Sequence, residues 1–177
     1  ALGLVRAERW ARDPKKFKSK CKKRNQQPLE EKESYRWLQS YRAAQGLAQQ
    51  CPESLVVSVA DREGDIYEVF AAVEQLVDEP ARAHVLLRSN HNRAVQGGRL
   101  WALLAAQPVA GETEITVRGG HGNPGRVARL AVSYMPFKMK GPQLKKDQPE
   151  VALWAIQARE INAPQGVKAI CWRLLST

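Results

Sequence analysis

The sequence predicts an α/β protein whose first half passes into an antiparallel, β-rich second half. Two patterns carry that expectation. Up to about residue 88, apolar strand-like runs alternate with stretches of helical period, the order strand, helix, strand, helix, strand that builds layered α/β folds. After residue 90 the period changes to alternation, cut by Gly and Pro at close intervals, as hairpin-connected strands require.

Taken in order, residues 2–10 are apolar and then partly alternating, which predicts a strand. Asp13-Pro14 and a basic run (Lys15, Lys16, Lys18, Lys20, Lys22, Lys23, Arg24) follow, with few apolar residues to bury. Residues 15–28 are therefore expected to form a mobile loop, either a solvated linker or a segment lying along DNA phosphates. Residues 28–50 predict a helix: Glu30, Glu31 and Glu33 fall in its first turn, where the helix dipole favours acids. Tyr35, Leu38, Tyr41, Gln45 and Ala48 mark its inner face, and Pro52 stops it. Residues 55–60 are short, apolar and β-branched, which predicts a strand buried on both faces. Residues 64–77 predict a second helix with Ile66, Val69, Phe70, Val73, Leu76 and Val77 inward, and residues 83–88 the next strand. A short helix is expected at 100–106. Strands are expected at 114–118, 127–134, 151–160 and 170–175, separated by Gly119-Gly120, Gly122, Pro124-Gly125, Gly141-Pro142 and Pro164.

The charge balance narrows the class of partner. The 177 residues carry 28 Lys+Arg against 18 Asp+Glu, a net +10. Such a surface attracts polyanions, nucleic acid foremost. No basic amphipathic stretch with an apolar opposite face favours a membrane surface instead, and no apolar run approaches the roughly 18 residues of a membrane span. The three cysteines, Cys21, Cys51 and Cys171, lack zinc-like spacing and fit a reducing, cytoplasmic setting.

Chemistry concentrates at Asp61-Arg62-Glu63-Gly64-Asp65. Asp61 stands where a strand ends and a helix follows, the crevice in which open α/β sheets bind ligands. A carboxylate there can hold Mg²⁺, which takes one or two carboxylates plus phosphate and water oxygens. Asp61 or Asp65 can equally serve as a helix cap. Arg88, at the end of the next strand, is either a phosphate clamp for the same crevice or a surface arginine. Trp172, between Cys171 and Arg173, is either core or a flat face for an unstacked base with Arg173 or Arg88 beside it. His84 reads as a structural strand histidine, and His91 and His121 as loop residues. There is no phosphate loop, no dinucleotide fingerprint and no nucleophilic triad.

Several of these segments, in order, resemble one family. Glu30-Glu31-Lys32-Glu33-Ser34-Tyr35-Arg36-Trp37-Leu38 followed by residues 56–70 resembles the KES-x-x-WL helix and DREAD-ended strand of DDE-type bacterial insertion-sequence transposases, the Tn-five-like, IS-four family. Residues 86–91 are similar to that family's VVRSKH, residues 159–164 to its EEINPP, and residues 171–177 to its W-L-L-L-T strand. The resemblance implies an RNase H-like mixed sheet with helices, incomplete here (residues 1–90), and a β-rich insertion region (residues 91–177). It implies cut-and-paste cleavage and strand transfer on double-stranded DNA, at transposon ends and target, by two Mg²⁺ (or Mn²⁺) ions held by Asp, Asp and Glu. By position, Asp61 looks like the second catalytic Asp and metal ligand, Arg88 like a DNA-contacting arginine, and Trp172 like the tryptophan that stacks a flipped base. Arg62, Lys15, Lys16 and Lys18 are expected phosphate contacts. The first Asp and the Glu have no counterpart in these residues, and both ends read as cut from something longer. The chain alone is therefore expected to be inactive, as a fragment of a bacterial, nucleoid-associated enzyme that could dimerise at full length. Asn90 departs from the family's Lys. The alternative from another class is a non-catalytic basic nucleic-acid-binding module in which Asp61 is only a cap. A phosphohydrolase of small substrates fits less well, since no nucleophile stands beside a base.

Overall fold

The computed structural model describes residues 28–120, 124–142 and 148–177. The expected strand at 2–10 and the basic loop with Lys15, Lys16 and Lys18 lie outside them. Among the described residues a six-stranded mixed sheet in the order β1-β2-β8-β7-β6-β5 organises the chain into a mixed α/β fold. β1 (Val57–Ala60) and β2 (His84–Arg88) are parallel, and α2 (Tyr67–Glu74) is the helix of the connection between them. β5 (Gly111–Val117), β6 (Arg126–Met139), β7 (Val151–Ile161) and β8 (Cys171–Ser176) run antiparallel, each to the next. β8 then closes against β2, pairing Leu87 with Leu175 and Arg88 with Leu174. Strands from both sides of residue 90 thus share one sheet. β3 (Ala94–Val95) and β4 (Gly98–Arg99) form a separate ribbon, turned at Gly97 with φ 89°, a conformation glycine adopts without a side-chain clash.

One face of the sheet carries the helices. α1 (Tyr35–Gln50) buries Leu38, Tyr41, Gln45 and Ala48, the inner stripe its period predicts. It begins later than the sequence suggests: Leu29–Glu31 form a 3-10 turn, so Glu30 and Glu31 precede the α-helix rather than sit in its first turn. Gln45 fastens α1 to the start of β2, its amide nitrogen donating to the Ala81 carbonyl at 3.0 Å and its amide oxygen accepting from the Ala83 N–H at 2.7 Å. The Tyr41 hydroxyl donates to the Ala83 carbonyl beside it, and burial pushes this phenol up to about 12 against a smaller lowering by Arg82. α2 buries Val69, Phe70 and Val73, and the Tyr67 hydroxyl donates to the Pro149 carbonyl ahead of β7. Val77, expected inward, is exposed because α2 ends at Glu74. α3 (Leu100–Ala105) adds Leu100 and Leu104. With Val85, Leu87, Met139, Val151, Leu153, Ala155 and Leu175 from the strands these make the main core.

The other face is largely bare among the described residues. By register it carries Val57 and Val59 of β1, Trp172 of β8, Trp154 of β7 and Tyr134 of β6, all exposed. The expectation that β1 is covered on both faces is corrected here: Val59 is 70% exposed, and among the described residues β1 is an edge strand. A β-branched run reports strand preference, not whether a second layer is present. A small second cluster (Ala128, Leu130, Ala158, with Ile115, Val132 and Ile170) lies at the far end of this face. Pro136 sits in β6 past Val132, where β5 no longer pairs, so its missing N–H disturbs no ladder there. No helix of the described residues is long and apolar enough to cross a membrane.

The turn after β7 explains one motif. Glu160 is buried and takes a two-pronged hydrogen bond from Arg126 (3.0 and 2.9 Å) and one from the Ile170 N–H (2.9 Å). Asn162 follows in the left-handed region at φ 59° and turns the chain toward β8. Arg126 first, then the Ile170 amide, hold the Glu160 carboxyl below its usual range. A depressed carboxyl stabilises the fold fully above its unfolded value, about 4.3, and the contribution is lost as pH falls through the lower folded value. Acid unfolding followed by circular dichroism should therefore show Glu160→Gln less stable than the parent at neutral pH. The gap should narrow as pH drops below about 4, and a gap independent of pH would refute this role.

Candidate nucleic-acid interface

Asp61 follows the last residue of β1 and begins the 3-10 turn Arg62–Gly64. Its Oδ1 accepts from the Glu63 N–H at 2.9 Å, so the side chain acts as the cap of that turn. The carboxylate is otherwise exposed at the tip of the strand. Gly64 is required here: a Cβ would come within 2.9 Å of the Ala60 Cβ, and Leu87 and Trp37 close the other sides. The turn thus packs down onto the sheet and presents Asp61 and Arg62 outward. Glu63 is an ion-pair partner of Arg36 on α1, and Arg36 also lies over the Trp37 ring at 5.3 Å.

Asp65, the next carboxylate, faces inward. Its side chain is fully buried, yet it accepts four hydrogen bonds: from the Asn90 N–H (2.6 Å), the His91 N–H (3.1 Å) and two guanidinium nitrogens of Arg93 (2.9 and 2.5 Å). It caps no helix. It binds the loop that follows β2, and so fixes the C-terminal ends of the two parallel strands relative to each other. The same loop holds α3 through Asn92, whose Oδ1 accepts from the Trp101 N–H, and through Ser89, whose Oγ accepts from the Trp101 indole N–H at 3.2 Å.

Between these pieces lies a cavity of about 200 Å³ lined by Arg62, Arg88, Ser89, Asn90, Trp101, Cys171 and Arg173. Arg62 and Arg88 are thereby brought to one place beside Asp61, and no acidic side chain of the described residues lines the space. Trp172 is not part of it. Strand alternation turns Trp172 to the bare face, 36% exposed, while Arg173 points to the helix-covered face. Arg88 pairs across from Leu174, so its side chain leaves the sheet on the face Trp172 shares, one diagonal position away. His84 is half-buried with Nδ1 3.4 Å from the Thr177 hydroxyl, a structural setting, and His91 is exposed in the loop.

No three His, Cys, Asp or Glu side chains of the described residues converge on a point. Glu63, though exposed, is engaged by Arg36 and the buried Asp65 by Arg93, which leaves Asp61 the carboxylate of this segment with no arginine partner among the described residues. One carboxylate does not fit a two-metal centre, and no chemical step through a metal follows from these residues alone. No family model matches the chain.

Sequence does not single out Arg93 or Trp101, and it offers Arg173 only as a neighbour of the Trp172 face. Each is ordinary in its own segment, and only the pairing of β2 with β8 and the packing of α3 bring them together. Removing one partner of a buried ion pair leaves the other uncompensated. Arg93→Ala should therefore destabilise the fold by about 3–5 kcal/mol and speed amide hydrogen exchange at Asn90 and His91. Exchange unchanged at those two amides would show that Asp65 does not hold the loop.

Proposed function

We propose that this chain is part of the catalytic domain of a DDE-type insertion-sequence transposase, RNase H-like in fold, with Asp61 as one of its three metal-binding carboxylates. The observation that carries the reading is the position of Asp61. It stands outward at the C-terminal tip of a strand in a parallel pair, beside a cavity lined by arginines and, among the described residues, no acid, where phosphate and a divalent ion would meet. The ordered likeness of residues 30–38, 56–70, 86–91, 159–164 and 171–177 to the Tn-five-like, IS-four family supports it, as does the antiparallel extension on the far edge of β2. In this reading Arg62 and Arg88 contact backbone phosphates, and Trp172 stacks an unpaired base. Mg²⁺ (or Mn²⁺) is shared with an Asp and a Glu from outside these residues. When bound, such ions activate the attacking oxygen and stabilise the leaving one. The bare face of the sheet leaves room for the elements that bring those carboxylates. A bacterial, nucleoid-associated setting and a homodimer of the full-length protein belong to the same proposal.

A second reading rests on the Asp61–Glu63 hydrogen bond: Asp61 is a cap only, and the chain is a non-catalytic basic module for nucleic acid. The two readings separate on Asp61→Asn. In a polypeptide that supplies the two further carboxylates, this change should abolish Mg²⁺-dependent strand cleavage and weaken Mg²⁺ binding while leaving DNA binding in place. Metal binding unaffected by Asp61→Asn would leave only the second reading standing. Both readings expect duplex binding whose log affinity falls linearly with log salt. Only the first expects Trp172→Ala to lose more affinity for a hairpin with an unpaired base than for a plain duplex, on the order of 1–3 kcal/mol. No binding at low salt would remove both. The 177 residues alone should neither cut nor join DNA.

A further inference from the structure

The cavity at the end of β2 includes an arginine to which neither reading gives a role. Arg173 carries its guanidinium over the Trp101 ring at 4.7 Å. Trp101 is itself pinned, its indole N–H on Ser89 and its backbone N–H on Asn92. The Ser89 N–H donates to the Arg173 carbonyl at 2.8 Å, so backbone and ring are fixed to each other. Yet the Arg173 Nε is buried with no hydrogen-bond partner, and among the described residues its side chain has no ion pair. A buried donor with no acceptor is costly, and native structures rarely keep one without a reason. A guanidinium seated over an aromatic ring is restrained, and its nitrogens form a fork that matches the oxygens of a tetrahedral oxyanion. Arg62 and Arg88 line the same space, which no acid of the described residues enters.

We propose that this cavity is a phosphoryl-oxyanion site with Arg173 as its principal ligand and Trp101 as the platform that orients it. Ser89 positions Trp101 and does not touch the anion. The Asp65–Arg93 pair keeps a fourth arginine out of the site, because that guanidinium is already committed. The Arg173 guanidinium sets the ligand's charge, with Arg62 and Arg88 among the residues that line the space, and the fork sets its geometry. Two sources carry that group, free phosphate and a nucleic-acid backbone. The choice of the backbone rests on the nucleic-acid reading above, whereas the anion site itself does not. Arg173 and Trp172 are adjacent but face opposite sides of β8. A strand passing over this end of the sheet would therefore meet a phosphate ligand on one side and a stacking surface on the other.

The test observes the arginine Nε–H resonances by NMR in the intact chain, with Arg173 assigned from its loss in Arg173→Lys. Inorganic phosphate should shift the Arg173 signal saturably, and chloride at equal ionic strength should not. Arg173→Lys keeps the charge but lacks the fork, and should bind phosphate about tenfold more weakly, with the remaining arginine signals in place as the control for folding. No saturable shift, or the same shift with chloride, overturns the site. A short DNA duplex added in place of phosphate decides the source. Movement of the Arg173 signal supports a backbone phosphate. Salt-sensitive duplex binding that leaves this signal still overturns the backbone assignment without touching the DNA reading, which the Trp172 and Asp61 variants test separately.

Discussion

The geometry at the open end of the parallel pair depends on one buried carboxylate. Asp65 leaves the turn after β1 and is received by the loop after β2, through two backbone amides and the Arg93 guanidinium. A charge with no solvent exposure is tolerable only when its lone pairs are filled, and here they are. Because the donors lie on three consecutive or nearly consecutive residues, the loop has little freedom left. Ser89, at its start, then receives Trp101, and Trp101 receives Arg173. The order in which side chains meet around the cavity descends from this one ion.

The same interaction explains the division of labour along Asp61-Arg62-Glu63-Gly64-Asp65. Three acids in five residues look interchangeable in sequence. Folding gives each a different neighbour: an amide for Asp61, Arg36 for Glu63, a loop and Arg93 for Asp65. Gly64 permits it, since only a residue without Cβ lets the turn descend onto Ala60 and carry Asp65 beneath the surface. Asp61 is left without an arginine partner among the described residues because the other two are already engaged.

Much of the fold was legible in the sequence, for reasons that can be named. The inner face of α1 follows from helical spacing, and the burial of Leu38, Tyr41, Gln45 and Ala48 agrees with it. The antiparallel strands after residue 110 follow from alternation and turn residues, although β6 runs on past its expected end through Pro136 to Met139. What local pattern does not contain is the environment supplied by distant segments. Val57 and Val59 have the side chains of a covered strand but lie on an edge with one face open. Of the site, Asp61, Arg62 and Arg88 were visible because strand ends announce themselves. Arg93 and the contact of Trp101 with Arg173 were not, because their meeting depends on β8 crossing back to β2, a pairing no short window encodes. The side of the sheet to which Trp172 points likewise depends on that register, which a shift of one residue would reverse.

β8 occupies the seam of the sheet: β1 and β2 lie on one side of it, β7, β6 and β5 on the other. The parallel pair with its helices and the antiparallel meander are each local in the chain, but their union waits on the strand that comes last among the eight. Contacts such as Leu87 with Leu175 close a loop of most of a hundred residues, and closures of that length come late and slowly in folding. Two half-sheets with open edges would then coexist before the seam is filled. The protein's exposure to misassembly should be greatest in that interval, and shortest where β8 arrives promptly.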